Sequence, residues 1–161
     1  ALVHTVNNCK NTPYYSHTRN TLDKIRNTLS IQSAKTGESS FIYNSKQVHT
    51  FIVYYPEKSG NINQGKNKIS NFNKASFSKK GYKTSNSFLN EKDQFILVKH
   101  FQSMDEAMDY YLAFKVNKTQ VKDIKDKQQF FIISEKNLSA LYLEKKLDDY
   151  IKFFNKNYLN L

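Results

Sequence analysis

The chain has 161 residues, of which 25 are basic and 14 acidic, and its formal net charge is +11. Its 39% hydrophobic content is enough for one core, and its single cysteine excludes an internal disulfide framework and a cysteine-rich zinc site. No apolar run approaches the roughly 18 residues that a membrane-spanning helix needs, and no charged-then-apolar leader opens the chain, so an export signal or lipid anchor is expected only on a longer precursor.

Residues 1–29 predict a helical hairpin. Thr12 and Pro13 are typical of a helix start, and the apolar residues that follow recur at spacings of three and four, beginning with Tyr14 and Tyr15. Residues 30–47 have no sustained period and predict a linker.

Residues 49–133 predict the element order β-α-β-β-α-β. The predicted elements are a strand at 50–55, a helix at 61–77, strands at 84–89 and 94–101, a helix from 104 and a strand at 129–133. Two further helices are predicted at 137–143 and 146–158, and the charged stretch 116–127 is expected to fray. This order predicts a ferredoxin-like antiparallel sheet, within a domain of residues 48–161.

The first and third strands should be central in such a sheet, and both are apolar on both faces. A sheet with one face in water alternates apolar and polar residues, so something must cover the second face. The last helix is the nearest candidate, because Tyr150 and Phe154 lie on its apolar stripe. A partner protein is the other candidate.

The positive charge concentrates in a stretch from 66 to 83 that contains no Asp or Glu. Its six lysines, called here the lysine run, are Lys66, Lys68, Lys74, Lys79, Lys80 and Lys83. One interpretation is a surface for an anionic partner such as headgroups, nucleic acid or acidic protein. The other is an ordinary solvated face.

No catalytic constellation stands out, so neither an enzyme nor a cofactor or metal is expected. The four histidines (His4, His17, His49 and His100) are scattered singly, and no nucleophile motif or phosphate-binding glycine loop is present. Ser103 and Glu106 instead have the spacing of a capping box, in which the Ser103 hydroxyl accepts from the Glu106 amide and the carboxylate bonds the Ser103 amide.

Several segments resemble the C-terminal region of tetratricopeptide-repeat lipoproteins that serve gliding motility and type IX secretion in Bacteroidetes. They are Asn-Thr-Pro-Tyr at 11–14, Thr-Phe-Ile-Val at 50–53, Ser-Asn-Phe-Asn-Lys at 70–74, the segment 101–111 and the segment 150–159. The resemblance implies a non-enzymatic scaffold, periplasmic and associated with the outer membrane. Its partners would be protein components of a secretion or motility complex, and residues 1–29 would end a repeat array.

The segment from Val98 to Ala107 also resembles the strand-to-helix join of SPOR domains, which implies peptidoglycan binding. A basic ferredoxin-like domain that binds nucleic acid is a second alternative. Nucleic acid is the less favoured partner, because the third strand carries aliphatic residues where RNA-recognition modules carry stacking aromatics. The candidate interaction surface comprises the lysine run with Tyr14 and Tyr15.

Overall fold

The computed structural model describes residues 40–161, of which Phe41–Leu161 form one α+β unit. Its elements in chain order are β1 (His49–Tyr55), α1 (Ile62–Ser76), β2 (Lys83–Phe88), β3 (Gln94–Phe101), α2 (Met104–Val116), α3 (Lys122–Lys125), β4 (Gln129–Ser134), α4 (Glu135–Glu144) and α5 (Leu147–Tyr158). The predicted helical hairpin of 1–29, with Tyr14 and Tyr15, and the predicted linker as far as residue 39 lie outside the described residues.

The four strands form one antiparallel sheet in the order β2-β3-β1-β4, so β1 and β3 are central, as predicted. This order is compatible with a ferredoxin-like arrangement. Helix α2 ends at Val116, where the charged stretch 116–127 begins, but residues 122–125 of that stretch form the short helix α3 instead of fraying. Val121 and Ile124 bury their side chains three positions apart and hold this single turn against the core.

Helices α1 and α2 cover the first face of the sheet. Phe51 projects from β1 between the α2 residues Tyr110 and Phe114, with ring centroids 4.9 Å apart in each case. Helix α1 contributes Ile69 and Phe72, which are 0% and 1% exposed. These side chains form a dry aromatic layer on this side of β1 and β3.

Helices α4 and α5 cover the second face. The ring of Phe131 on β4 lies 5.3 Å from Tyr150 and 6.3 Å from Phe154, both on α5. Phe95 on β3 lies 6.1 Å from Tyr142 on α4. The prediction that the C-terminal part of the chain covers the second face is therefore confirmed.

The two edges of the sheet differ. At β4 the Tyr150 hydroxyl donates to the Ile132 carbonyl at 2.7 Å, and Tyr111 of α2 meets Phe154 of α5 at 5.5 Å. Since α2 and α5 lie on opposite faces, this ring contact closes over the β4 edge. Within the described part of the chain, β2 pairs with β3 alone, and its residues are exposed or half-buried.

Residues 41–47, the end of the predicted linker, lie against the helices of this unit. Phe41 is 4% exposed, and its ring lies 4.9 Å from that of Tyr150. The Asn137 side chain accepts from the backbone N–H of Ile42 and donates to its C=O, each at 2.9 Å. The segment therefore belongs to the packed unit rather than to a free linker.

Candidate interaction surface

The lysine run is divided among three consecutive parts of the chain. Lys66, Lys68 and Lys74 lie on α1, Lys79 and Lys80 in the turn after it, and Lys83 at the start of β2. Helix α1 buries a different set of residues, namely Gly65, Ile69, Phe72 and Asn73, against the sheet. Its lysines are consequently left partly or fully in solvent, as amphipathic packing requires.

Two members of the lysine run are paired with carboxylates. Lys68 lies 2.7 Å from Asp123, and Lys80 lies 3.0 Å from Glu106. No ion pair within residues 40–161 engages the other four, which are Lys66, Lys74, Lys79 and Lys83. The run thus divides into a neutralised part and a part available to an anion.

Glu106 binds three donors and fixes the turn that carries Lys80. One carboxylate oxygen accepts from Lys80 at 3.0 Å and from the Tyr82 hydroxyl at 3.1 Å, and the other accepts from the Gln102 amide at 2.8 Å. The Gln102 hydrogen bond and the Lys80 charge hold the pKa of Glu106 below its usual value. Burial and the Glu106 carboxylate raise the pKa of Tyr82, so its hydroxyl remains a donor.

Half of the predicted capping box forms. The Ser103 hydroxyl accepts from the Glu106 amide at 3.2 Å, as predicted. The expectation that Glu106 bonds the Ser103 amide is wrong, because its carboxylate meets the amide of Gln102 instead. Lys80 and Tyr82 bind the other oxygen, so the carboxylate bridges the end of β3 to the turn before β2 rather than capping α2 alone.

A second lysine faces Lys83 from the neighbouring strand. Lys83 and Lys99 are direct cross-strand partners in the β2–β3 register, and both side chains are exposed. Like charges in this position destabilise a sheet. No described carboxylate forms an ion pair with either residue. Sequence reasoning missed Lys99 because only the strand register brings it to the lysine run.

The β2 edge lies beside this lysine pair. Ser85, Asn86 and Phe88 are exposed along it, and Phe88 keeps 59% of its surface in solvent. A sheet edge presents a row of unpaired N–H and C=O groups to whatever lies beside it. Together the edge, the lysine pair and Phe88 form what we call the β2 surface.

The faces of the sheet offer no comparable surface in residues 40–161. A glycan or a base would have to reach β1 and β3 directly, but Ile52, Phe95 and Leu97 are 0%, 0% and 3% exposed beneath the C-terminal helices. Of the two histidines beside strands, His49 is buried and His100 is exposed at an irregularity of β3. Neither forms part of the β2 surface described above.

A cleft of about 410 Å³ opens near the hairpin that joins β2 to β3, at the end of these strands away from Lys83 and Lys99. It is lined by Tyr54, Leu89, Asn90, Asp93, Lys145, Lys146, Leu147, Asp148 and Asp149. Burial and the nearby Asp93 charge raise the pKa of Tyr54 to about 12, so its hydroxyl stays protonated near neutrality. Charges of both signs line the cleft, and no three His, Cys, Asp or Glu of the described chain could hold a metal ion there or elsewhere.

Comparison of the chain with protein-family models, with curated proteins and with solved structures finds no match. Over residues 40–161, no helix combines the length and hydrophobicity needed to span a membrane. The function is therefore inferred from the surface of the molecule and from the sequence motifs.

Proposed function

We propose that this chain is a non-enzymatic protein-interaction module built on a ferredoxin-like sheet. The observation that carries the proposal is the β2 surface, where a strand edge without a described partner lies beside Lys83 and Lys99. The rest of the unit supports a scaffolding role, because the perturbed titratable groups have structural explanations. Tyr110 and Tyr150 are buried core residues, and Glu106 is a bridging acceptor.

We further propose that the module serves a bacterial envelope machine of outer-membrane-associated type IX secretion or gliding motility. The motif resemblance supports this assignment, with residues 1–29 as the end of a tetratricopeptide array. The partners would be protein components of that machine in the periplasm. Membrane association would come from an anchor outside this chain.

Affinity capture with the full chain tests both proposals. The immobilised chain is incubated with detergent-solubilised envelopes of a gliding, protein-secreting bacterium, and an unrelated basic protein of similar charge is the control bait. We expect components of the secretion or motility machinery on the chain and not on the control. Their absence, with equal background on both baits, would contradict the envelope proposal.

Peptidoglycan binding is the first alternative and has a direct test. The SPOR-like mode needs an open sheet face, and α4 and α5 occupy the second face here. After sedimentation with purified peptidoglycan we expect the protein in the supernatant. Specific pelleting would favour the glycan-binding alternative over a protein-interaction module.

Nucleic-acid binding is the second alternative, and the four lysines without a described ion pair favour it. Such binding would be electrostatic, so its affinity must fall steeply between about 50 and 200 mM salt. We expect labelled single-stranded RNA and duplex DNA to bind weakly at low salt and to dissociate at physiological salt. Tight binding retained at physiological salt would instead support a nucleic-acid function.

A further inference from the structure

We propose that β2 is the docking edge for an extended, acidic segment of a partner protein, which joins the sheet as a fifth strand. This inference rests on the proposed interaction function and names the chemistry of the partner. Its three supports are the backbone of β2, the pair Lys83 and Lys99, and the exposed ring of Phe88.

The backbone of β2 selects a peptide rather than a nucleic acid. The described partner of this strand is β3 on one side, so its outer edge presents N–H donors and C=O acceptors in alternation. A phosphate backbone can only accept hydrogen bonds, whereas another peptide strand supplies donors and acceptors at the matching spacing. Addition of a strand to a sheet edge is an established mode of peptide recognition.

The lysine pair selects an acidic peptide. Lys83 and Lys99 are opposite one another on the same face of the sheet. A residue of the added strand opposite Lys83 would project from that face too, one strand further out, within reach of both ammonium groups. A carboxylate there would replace like-charge repulsion by attraction, so the free protein bears a cost that the complex removes.

Phe88 fixes a second position of the segment. Lys83 and Phe88 are five residues apart on one strand, so they project from opposite faces of the sheet. An antiparallel segment would therefore carry an aromatic or aliphatic residue opposite Phe88 and an acidic residue five positions later. Burying the 59% of Phe88 that is exposed would add an apolar contact to the main-chain hydrogen bonds.

A second copy of the chain is a poorer occupant. Two β2 strands side by side would bring together molecules that each carry a formal net charge of +11. Such a pairing would also leave the lysine pair without a carboxylate, because β2 contains no Asp or Glu. Charge complementarity therefore favours a partner of the opposite sign.

The test uses the full chain and two synthetic peptides of alternating Thr and Val. One peptide carries Trp and, five positions later, Glu; the other has Lys in place of that Glu. Because the protein contains no Trp, fluorescence of the peptide's Trp, excited where tyrosine does not absorb, reports binding. We expect the Glu peptide to bind at least tenfold more tightly than the Lys peptide, and the amides of β2 to gain protection from hydrogen exchange.

Charge reversal identifies the residues that select the acid. The double variant K83E/K99E should bind the Glu peptide at least tenfold more weakly than the wild type does and should prefer the Lys peptide. The matched control K152E/K156E, on the exposed side of α5, makes the same change in net charge and should keep the wild-type preference. Equal losses in both variants would show a general charge effect and overturn the proposal.

Proline substitution tests the backbone part. Successive residues of a strand direct their N–H groups to opposite edges, so one of S85P and N86P removes an outward donor and leaves the β2–β3 ladder intact. Thermal melts identify that variant by its retained stability. It should bind the Glu peptide more weakly, and unchanged binding would overturn strand addition.

Other results separate this inference from the proposed function. Protection of β2 in a concentration-dependent dimer without peptide would assign the edge to a second copy and overturn the peptide proposal. If K83E/K99E captures the same envelope components as the wild type, and if the Glu peptide does not reduce that capture, the β2 docking site is overturned. The interaction function would still stand. Failed capture with successful peptide binding would keep the β2 docking site and contradict only the envelope assignment.

Discussion

Gly65 lies in the second turn of α1, where the helix touches the central strands. A Cβ at this position would lie 2.8 Å from the ring carbon Cζ of Tyr55 and 3.1 Å from Cδ1 of Ile96, and it would overlap the Tyr55 hydroxyl. Both neighbours are buried and have little room to move. The absent side chain is therefore what lets α1 approach β1 and β3.

We predict that Gly65→Ala lowers the free energy of unfolding by about 1–3 kcal/mol, because overpacking outweighs the gain in helix propensity of about 1 kcal/mol. Combining it with Tyr55→Phe, which removes the overlapping oxygen, should restore part of the loss. Urea unfolding measures both effects. Asn71→Ala, on the exposed face of α1, is the control and should be neutral or slightly stabilising; the same result for Gly65→Ala would refute the close-packing account.

His49 is buried between backbone and ring partners. Its Nδ1 lies 2.7 Å from the Gln47 carbonyl, which can only accept, so Nδ1 carries the proton and Nε2 accepts from the Tyr158 hydroxyl at 3.1 Å. Burial lowers the pKa of His49 below its usual 6.5 despite the Gln47 hydrogen bond. The folded state therefore favours the neutral ring.

The imidazole of His49 binds a second proton more tightly in the unfolded chain than in the folded protein. The contribution of the neutral His49 ring to the free energy of unfolding is therefore complete above pH 6.5 and declines as the pH falls below it. We predict that unfolding free energies measured from pH 8 to 5 fall toward acid for the wild type, and that His49→Gln reduces this slope. The exposed His100 provides the control, since His100→Asn should keep the slope. A slope unchanged by His49→Gln would assign the acid sensitivity to other groups.

Residue roles followed from the sequence only where they were local. The Ser103 cap could be predicted because its donor lies three residues away. The burial of His49 could not, because its partner Tyr158 is 109 residues away and depends on how α5 folds back. Glu106 shows the intermediate case, since its position was predictable but its contacts with Lys80 and Tyr82 required the tertiary fold.

At the scale of elements, Asn73 joins two helices and a strand. Its side-chain oxygen accepts from the Tyr110 hydroxyl at 2.5 Å, and its amide donates to the Thr84 hydroxyl at 3.1 Å. Asn73 is 6% exposed and Tyr110 is 0% exposed, so water has little access to replace either bond. This short chain of hydrogen bonds fixes α1 between α2 and β2.

We predict that Tyr110→Phe costs about 1–3 kcal/mol of unfolding free energy, since it leaves the buried Asn73 oxygen without its donor. The effect should be smaller in an Asn73→Ala background, because that oxygen is already gone. Chemical denaturation of the four proteins in this cycle supplies the coupling energy. Tyr111→Phe alters a neighbouring tyrosine and should cost much less; additive effects of Tyr110→Phe and Asn73→Ala would deny the coupling.

Element boundaries followed the hydrophobic pattern closely where burial was strong. The predicted bounds of β3 equal the observed Gln94–Phe101, because four consecutive buried residues dominate that strand. The register of β2 was less accessible. If the predicted strand 84–89 paired its last residue, Leu89, with Gln94, then Lys83 would lie opposite His100. In the structure Phe88 pairs with Gln94, so Lys83 lies opposite Lys99. A shift of one residue at a polar edge costs little, so the pattern did not specify it.

At the scale of the whole molecule, α5 is part of the core rather than an appendage. Tyr150 and Phe154 are 0% and 2% exposed, both contact Phe131, and Tyr150 also contacts Phe41. The need for such a cover was predictable from strands that are apolar on both faces. The β2 surface was not, since its strand edge, its lysine pair and the exposed Phe88 ring are brought together only by the sheet.

We predict that a chain ending at Lys146 loses its cooperative unfolding transition, because removing α5 exposes the second face of the sheet. It should bind the dye ANS, lose near-ultraviolet circular dichroism and aggregate. Removing only Asn160 and Leu161, the exposed last two residues, is the control and should have little effect. A sharp transition in the shorter chain would show that α5 is dispensable for packing.

The closure of one sheet edge and the openness of the other have a consequence for stoichiometry. Within residues 40–161, Tyr150, Tyr111 and Phe154 cover the β4 edge, so the proposed main-chain pairing has one described edge, that of β2. A segment docked at β2 would become the fifth strand of the sheet, and the covered β4 edge would offer no second place of this kind. The proposed complex would therefore hold one partner segment per module.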